Sequence, residues 1–165
     1  ATLLSCSDFG DAIIHHMKKT YNLTIGEQTS ERIKIEIGSA AKVGEETTME
    51  VRGRDNLTGL PRKTEVTTEE IREALQEPIR SIIDAVKRTL ERAEPELAAD
   101  LVDNGICLVG GGALLRGLDV VINQETGLDV RVADDPLTCV ARGTSIYLEN
   151  LEDWKSTMES DVDDL

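Results

Sequence analysis

Three consecutive glycines, Gly110 to Gly112, are the residues of this chain best suited to holding a ligand against the backbone. A short apolar run, Ile106 to Val109, leads into them, and a helical pattern opens at Ala113. Glycine has no Cβ, so the main chain can turn sharply and lie flat against a ligand, while N–H groups at a helix start favour anionic or polar atoms. This order is typical of a nucleotide pocket. A tight strand-to-helix turn within an α/β sheet would show the same pattern, and neither the G-x-x-x-x-G-K-[ST] nor the G-x-G-x-x-G motif is matched.

A second group with chemical potential is the pair Glu31 and Lys34, in a helix predicted over residues 29–37. Residues three apart leave the same face of a helix, so the two side chains can meet. Taken by spacing alone, the pair is an ordinary surface ion pair worth a few tenths of a kcal/mol. The remaining charged and apolar residues of this helix are predicted to face solvent (Arg32, Glu36) or the core (Ile33, Ile37).

Other common chemistries are not supported by the residue types present. The cysteines are Cys6, Cys107 and Cys139, without CxxC spacing, and His15 and His16 are the only histidines, so no zinc set is predicted. Reduced thiols are expected, with Cys107 a small buried hydrophobe in the strand before the glycines. The adjacent histidines point to different sides of a helix, which indicates one solvated and one packed imidazole. No catalytic histidine or paired carboxylates are evident.

Composition restricts the partners. The net charge of −14 repels phosphate backbones and anionic lipid, so neither nucleic-acid binding nor direct membrane contact is expected of this part. No apolar stretch is long enough to span a bilayer. Aromatic residues make up 2% of the chain, so the core must be built from Leu, Ile, Val and Ala.

The pattern of apolar residues and turn signals predicts alternating helices and strands, hence an α/β fold. A helix starting at Thr67-Thr68-Glu69-Glu70 is expected to end or kink at Pro78. The turn-rich stretch over 53–61 suits a loop or hairpin connection. Further predicted helices cover 8–20, 96–103, 113–125 and 136–151, and predicted strands cover 47–51, 64–66 and 129–132. The acidic tail, residues 152–165, is predicted to be flexible.

Several segments, in order, resemble the MreB family of bacterial actin homologues, which determine rod shape. They are Tyr21 to Ala40 (YNLTIGEQTSERIKIEIGSA), Val51 to Leu75 (VRGRDNLTGLPRKTEVTTEEIREAL), Pro95 to Ile106 (PELAADLVDNGI) and Leu108 to Thr144 (LVGGGALLRGLDVVINQETGLDVRVADDPLTCVARGT). The resemblance covers roughly residues 8–149.

The resemblance implies an actin-like (ribonuclease H-like) ATPase fold, of which this chain would be the second lobe. Residues 1–19 and 66–134 would form the nucleotide-binding subdomain IIA, and 20–65 the lid subdomain IIB. Residues 135–151 would be the C-terminal helix that returns to subdomain IA.

The resemblance also implies a ligand, ATP, accompanied by Mg²⁺ in the intact protein. The glycine loop, with Gly110, Gly111, Gly112, Ala113 and Leu114, would pass beneath the base and ribose. Glu31 and Lys34 would meet the base and ribose from the lid. The D-x-G-x-G-T hairpins of the superfamily and its metal-organising aspartate do not occur in this sequence, and Ser5-Cys6-Ser7 replaces Gly-Gly-Asp/Glu before the first helix. The family is a slow ATPase, but this chain is not expected to hydrolyse ATP alone.

Two functions follow as expectations. The first is the C-terminal half of a cytoplasmic, actin-like protein that binds ATP and forms filaments under the membrane. Those filaments would guide the wall-synthesis machinery, with self-contacts through residues 53–61. The second is a non-catalytic structural or interaction fragment that binds no nucleotide by itself.

Overall fold

The computed structural model describes residues 6–151, so the acidic tail (152–165) and the first five residues, Ser5 among them, lie outside the described part. The elements, in chain order, are α1 (Cys6–Tyr21), β1 (Leu23–Thr24), α2 (Glu27–Ile37), β2 (Thr48–Asp55), β3 (Pro61–Thr67), α3 (Thr68–Ala74), α4 (Gln76–Glu91), α5 (Pro95–Asn104), β4 (Ile106–Leu108), a 3₁₀ turn (Gly111–Leu114), α6 (Leu118–Thr126), β5 (Val130–Val132) and α7 (Cys139–Glu149).

The first sheet is antiparallel, in the order β1-β2-β3, with Thr48 opposite Thr67 and Arg54 opposite Pro61. Both long strands exceed the predicted ranges, because residues on either side of the turn continue the ladder. The two-residue β1 was not predicted, since so short a strand carries no alternating pattern. Glycine at position 53 allows β1 to pack closely against β2, because a Cβ there would lie 2.6 Å from the carbonyl oxygen of Thr24.

The hairpin between β2 and β3 is held by one buried carboxylate, that of Asp55. Its oxygens accept hydrogen bonds from the backbone N–H groups of Leu57 and Thr58, both at 2.9 Å, and from Arg62 Nη1 at 2.6 Å. Arg62 also donates to the carbonyl oxygen of Tyr21 at 2.6 Å. Of the predicted alternatives, a loop or a hairpin, the structure has the hairpin. It is a rigid turn with two exposed leucines, Leu57 and Leu60, at its tip.

Helices α1 to α4 and α6 pack with this sheet around one core, which is mostly aliphatic as the scarcity of aromatic residues predicted, with Phe9, Met17 and Met49 in addition. The fully buried side chains include Ile13, Met17, Leu23, Ile33, Ile71, Leu75, Ile79 and Ile122. Ile33 and Ile37 of α2 are buried as predicted, and Arg32 and Glu36 are exposed.

The predicted interruption at Pro78 is confirmed. Helix α3 ends at Ala74 and α4 begins at Gln76, because proline has no N–H to donate to the carbonyl of Ala74, four residues earlier. The flanking helical bonds, from Leu75 N to Ile71 O and from Ile79 N to Leu75 O, are present at 3.0 and 3.1 Å. The predicted start of α3 is also confirmed. Thr67 and Glu70 form a reciprocal capping box.

The second sheet pairs β4 with β5 in parallel, with Ile106 opposite Val130. The prediction that Cys107 is buried is wrong, because its side chain is exposed. Neighbours in a strand point to opposite faces, and Ile106 and Leu108 occupy the face that packs on the core. Cys107 therefore points to the other face, which no element within residues 6–151 covers.

Helices α5 and α7 contain no buried residue. Apolar side chains are therefore left in solvent on both helices: Leu97, Val102, Val140, Ile146 and Leu148. Within the described residues, no helix combines the length and apolar character required to cross a membrane.

Candidate functional site

A cavity of about 920 Å³ opens between α1, α2 and the glycine loop. Five of the seven residues predicted for the site line it: Glu31, Lys34, Gly111, Gly112 and Leu114. The other two, Gly110 and Ala113, do not. Gly110 donates its N–H to the carbonyl of Pro136 at 2.7 Å, and Ala113 is buried behind the loop. Segments some 80 residues apart in sequence thus form two walls of one pocket.

The first wall is α2. Lys34 Nζ lies 2.8 Å from Glu31 Oε2, so the two side chains share one face as their spacing predicted. The Lys34 side chain is more buried than that of its partner, with 17% of its surface exposed against 52% for Glu31. The orientation of the helix follows from its apolar stripe, since burying Ile33 and Ile37 turns this face toward the cavity.

The second wall is the glycine loop, and its backbone differs from the prediction. A helix was predicted to open at Ala113, but residues 111–114 form a 3₁₀ turn and α6 begins only at Leu118. Leu115 is extended and buried, and Gly117 has a φ of +76°, which reverses the chain before α6. The N-terminus of α6 therefore does not follow the glycines directly. Any ligand meets the N–H groups of a short turn instead of those of a full helix.

Glycine leaves space at this loop. A Cβ built on Gly111 would lie 3.5 Å from Leu137 Cδ2, and one built on Gly112 would meet no atom within 4 Å. Neither residue has a positive φ, so their backbone does not require glycine. Gly110 is different, because its φ of +81° strains any residue with a side chain.

A third wall, α1, was not predicted. Phe9, Gly10, Asp11 and Ile14 line the cavity from this helix. Gly10 lets α1 approach α2 closely, since a Cβ there would lie 3.3 Å from Ser30 Oγ. The available signal was this glycine inside a helical pattern, which costs helix stability and usually has a packing reason.

The lining combines apolar surface with few charges. Ile14, Ile35, Leu114, Leu115 and Leu137 supply apolar contact, and the acidic side chains of Asp11, Glu27 and Glu31 outnumber Lys34. The side chains therefore do not attract phosphate. They fit a flat, polar but uncharged group, such as a base with its ribose, whose hydroxyls donate to a carboxylate. In residues 6–151, no cluster of three His, Cys, Asp or Glu side chains could hold a metal ion.

A separate polar network lies at the junction of α1 and α3, outside this cavity. Tyr21 donates to Glu70 Oε1 at 2.5 Å, and burial together with this bond raises the pKa of Tyr21 to about 12. The pKa of Glu70 is lowered by hydrogen bonds from Tyr21 and Thr67, which outweigh the opposing effect of burial. These groups hold the helices together and do not face the ligand space.

Comparison of the sequence with known proteins supports one family. The sequence matches the MreB/Mbl protein family over residues 4–156. It is 51% identical over 144 residues to cell shape-determining protein MreB of Escherichia coli, covering 87% of this chain and 42% of that protein. It is 47% identical over 144 residues to cell shape-determining protein Mbl of Bacillus cereus, covering 87% and 43%. The chain thus spans less than half the length of these relatives.

Solved structures give the same result. MreB5 of Spiroplasma citri bound to ADP has a TM-score of 0.85 and 36% identity, covering 97% of this chain and 46% of that one. The same protein bound to AMPPNP has a TM-score of 0.84. A MamK double helical filament, at 22% identity and a TM-score of 0.66, shares the fold. The predicted α/β, actin-like ATPase fold and the predicted resemblance are both confirmed. The chain therefore belongs to the MreB/Mbl family.

Proposed function

We propose that this chain is the nucleotide-binding second lobe of an MreB-type, actin-like filament protein. In this proposal residues 1–19 and 66–134 form subdomain IIA, 20–65 form the lid IIB, and 135–151 return to subdomain IA. The observation that carries the proposal is the convergence of Glu31 and Lys34 with Gly111 and Gly112 around one cavity. The MreB5 structures with ADP and AMPPNP support it at the level of the family.

The α2 wall and the glycine loop each have a defined role toward the proposed ligand, ATP. The Glu31 carboxylate accepts hydrogen bonds from ribose hydroxyls, and the Lys34 ammonium donates to base or ribose acceptors. Gly111 and Gly112 let the backbone approach the ligand, while Leu114 and Leu137 present apolar surface to the base. When bound, ATP supplies the γ-phosphoryl group for the slow hydrolysis expected of the family, with Mg²⁺ in the intact protein. The proposal assigns binding, not phosphoryl transfer, to the residues of this chain.

The proposed cellular role is that of the shape-determining relatives. Filaments of the protein lie in the cytoplasm beneath the membrane, determine rod shape and guide the wall-synthesis machinery. The hairpin tip over residues 53–61 is the proposed contact with a neighbouring subunit, because Leu57 and Leu60 are exposed there on a rigid turn.

The test is ADP titration of the full-length gene product with one variant in the glycine loop and one on α2. Gly111→Val should abolish binding, because its side chain would occupy ligand space while the backbone φ tolerates it. Lys34→Gln should weaken binding. Its matched control is Arg32→Gln, which makes the same charge change on the exposed side of α2, where Arg32 lies 3.8 Å from Glu36.

Unchanged ADP affinity in Gly111→Val would overturn the site assignment, provided that the variant melts at the temperature of the unaltered protein. A full-length protein that binds no ADP would favour the second candidate, a structural or interaction fragment without nucleotide. The observation in favour of that candidate is the exposed apolar surface of α5 and α7, which suits contact with another protein surface.

A further inference from the structure

Arg116 connects two walls of the cavity, α2 and the glycine loop, but does not itself line the cavity. It lies four residues after Gly112, and its guanidinium extends away to the C-terminal end of α2. There Nε donates to the carbonyl oxygen of Gly38 at 3.1 Å, and Nη2 donates to that of Glu36 at 3.0 Å. These contacts join residues about 80 positions apart, and Arg116 is absent from the cavity lining.

The chemistry of this contact favours arginine. The last carbonyls of a helix have no partner within the helix and carry the negative end of its dipole, so a cation there is stabilising. Two donors in a planar fork reach two carbonyls at once, which the single ammonium of lysine does less well. Arg116 is exposed, so water weakens each bond and the effect of the pair is moderate.

The backbone reinforces the same junction. The Ala40 N–H donates to the carbonyl oxygen of Arg116 at 2.7 Å, and Ser39 and Arg116 form a parallel bridge. Gly117 then approaches the segment after α2 so closely that a Cβ would lie 3.0 Å from the Cβ of Ala41. The loop that follows Gly112 and the segment that follows Lys34 are therefore fastened to each other a few residues beyond the cavity.

We propose that Arg116 is a positioning residue that fixes the end of α2 to the glycine loop, and so sets the separation of Lys34 from Gly111 and Gly112 before a nucleotide arrives. The inference rests on the proposed function, since it concerns the width of the nucleotide cavity. Without the guanidinium, the end of α2 keeps the backbone bond from Ala40 to Arg116 and the core packing of Ile37, but the carbonyls of Glu36 and Gly38 lose their link to the glycine loop. Part of the binding energy is then used to order the helix, which lowers affinity without removing any ligand contact.

The test measures the junction and the ligand separately in the full-length gene product. In Arg116→Ala, amide hydrogen exchange over residues 36–43 should accelerate in the ligand-free protein, while exchange in α1 stays unchanged. ADP affinity should fall roughly threefold to tenfold, in line with loss of two solvent-accessible hydrogen bonds. Arg116→Lys should recover part of both effects. The matched control is Arg80→Ala, which removes an exposed arginine from α4 and should change neither.

Each outcome distinguishes this inference from the function on which it rests. Faster exchange with unchanged ADP affinity in Arg116→Ala would show a structural contact only and overturn the positioning role. Unchanged hydrogen exchange over residues 36–43 in Arg116→Ala would show that the guanidinium does not hold α2, and would also overturn the positioning role. If the unaltered protein binds no ADP, the proposed function fails and the positioning role with it, even when exchange still responds to Arg116→Ala.

Discussion

Gly110 and Gly111 are neighbours, but glycine serves a different purpose at each. Gly110 adopts a φ of +81°, so a side chain would strain the fold itself. Gly111 has ordinary backbone angles and only Leu137 near its missing Cβ, so a side chain there would reduce the space for the proposed ligand without straining the backbone. The sequence shows three equivalent glycines. The distinction depends on backbone angles that a run of identical residues does not reveal.

The contact between Glu31 and Lys34 was predictable from their spacing, but their place in the candidate site was predicted only from the family resemblance, and the α1 wall was missed. Phe9 belongs to a periodic apolar pattern with Ile13 and Met17, and such a pattern does not show which of its residues border a cavity. Ile14 lies outside that pattern. Cys107 was wrongly predicted to be buried, because an apolar run does not show whether both faces of its strand are covered.

We predict that the stability of the fold depends on pH through His16. Its Nε2 is buried without a hydrogen-bond partner, and its ring packs edge-on against Tyr21 with centroids 6.2 Å apart. Burial lowers its pKa below 6.5, aided by His15 and Lys19 and opposed by Glu70 and Glu73. As pH falls below 6.5, the unfolded chain gains a proton on His16 that the folded chain does not, so the free energy of unfolding decreases.

The measurement is urea unfolding of the chain at several pH values from about 7 to about 5. His16→Leu should flatten the decline in stability over this range. His15→Leu, which alters the exposed neighbouring imidazole, should leave the decline in place. If the free energy of unfolding falls with pH equally steeply in both variants, the assignment to His16 is wrong.

Elements were predicted well where a local signal marks their ends. The capping residues before α3 and the break before Pro78 both lie where the sequence indicates. The start of α6 was misplaced by five residues, from Ala113 to Leu118. The apolar periodicity runs on through Leu114 and Leu115, so it conceals the extended residue and the left-handed Gly117 between the 3₁₀ turn and the helix.

The capping box gives a prediction at this scale. Thr67→Ala removes the hydroxyl that accepts from the Glu70 N–H at 3.2 Å, and should lower the free energy of unfolding by about 1 kcal/mol. The control is Thr89→Ala within α4, where the hydroxyl donates only to the carbonyl of Ala85. It should change stability by less than about 0.5 kcal/mol. Equal urea midpoints for the unaltered chain and Thr67→Ala would rule out a stabilising cap.

At the scale of the whole molecule, exposed apolar side chains gather in two places outside the cavity, among the residues that the structure describes. One is the hairpin tip, where Leu57 and Leu60 are 81% and 65% exposed. The other is the surface of α5 and α7. The sequence indicated that these residues lie in a turn and in helices, but not that they would remain uncovered. Exposure depends on neighbouring surfaces that local patterns do not encode.

The proposed filament contact predicts that the hairpin leucines matter for assembly. Leu57→Ser with Leu60→Ser should raise the protein concentration required for polymerisation of the full-length gene product by about 100-fold, as two apolar contacts of about 1.5 kcal/mol each are lost. The control replaces both leucines with methionine, which keeps the apolar surface. Sedimentation of polymer in the presence of ATP and Mg²⁺ gives the measurement. Equal pelleting of both double variants would exclude the tip from the contact.

The carboxylate of Asp55 has a kinetic consequence for such an assembly. Because it fixes the Leu57 and Thr58 amides and pairs with Arg62, the tip already has one defined shape in the free subunit. A preordered tip loses little conformational entropy on encounter, so the association rate is set by diffusion and orientation, not by folding of the loop. Asp55→Ala would then slow subunit addition while leaving both leucines in place, so the growth rate would depend on a carboxylate whose hydrogen bonds lie within its own hairpin.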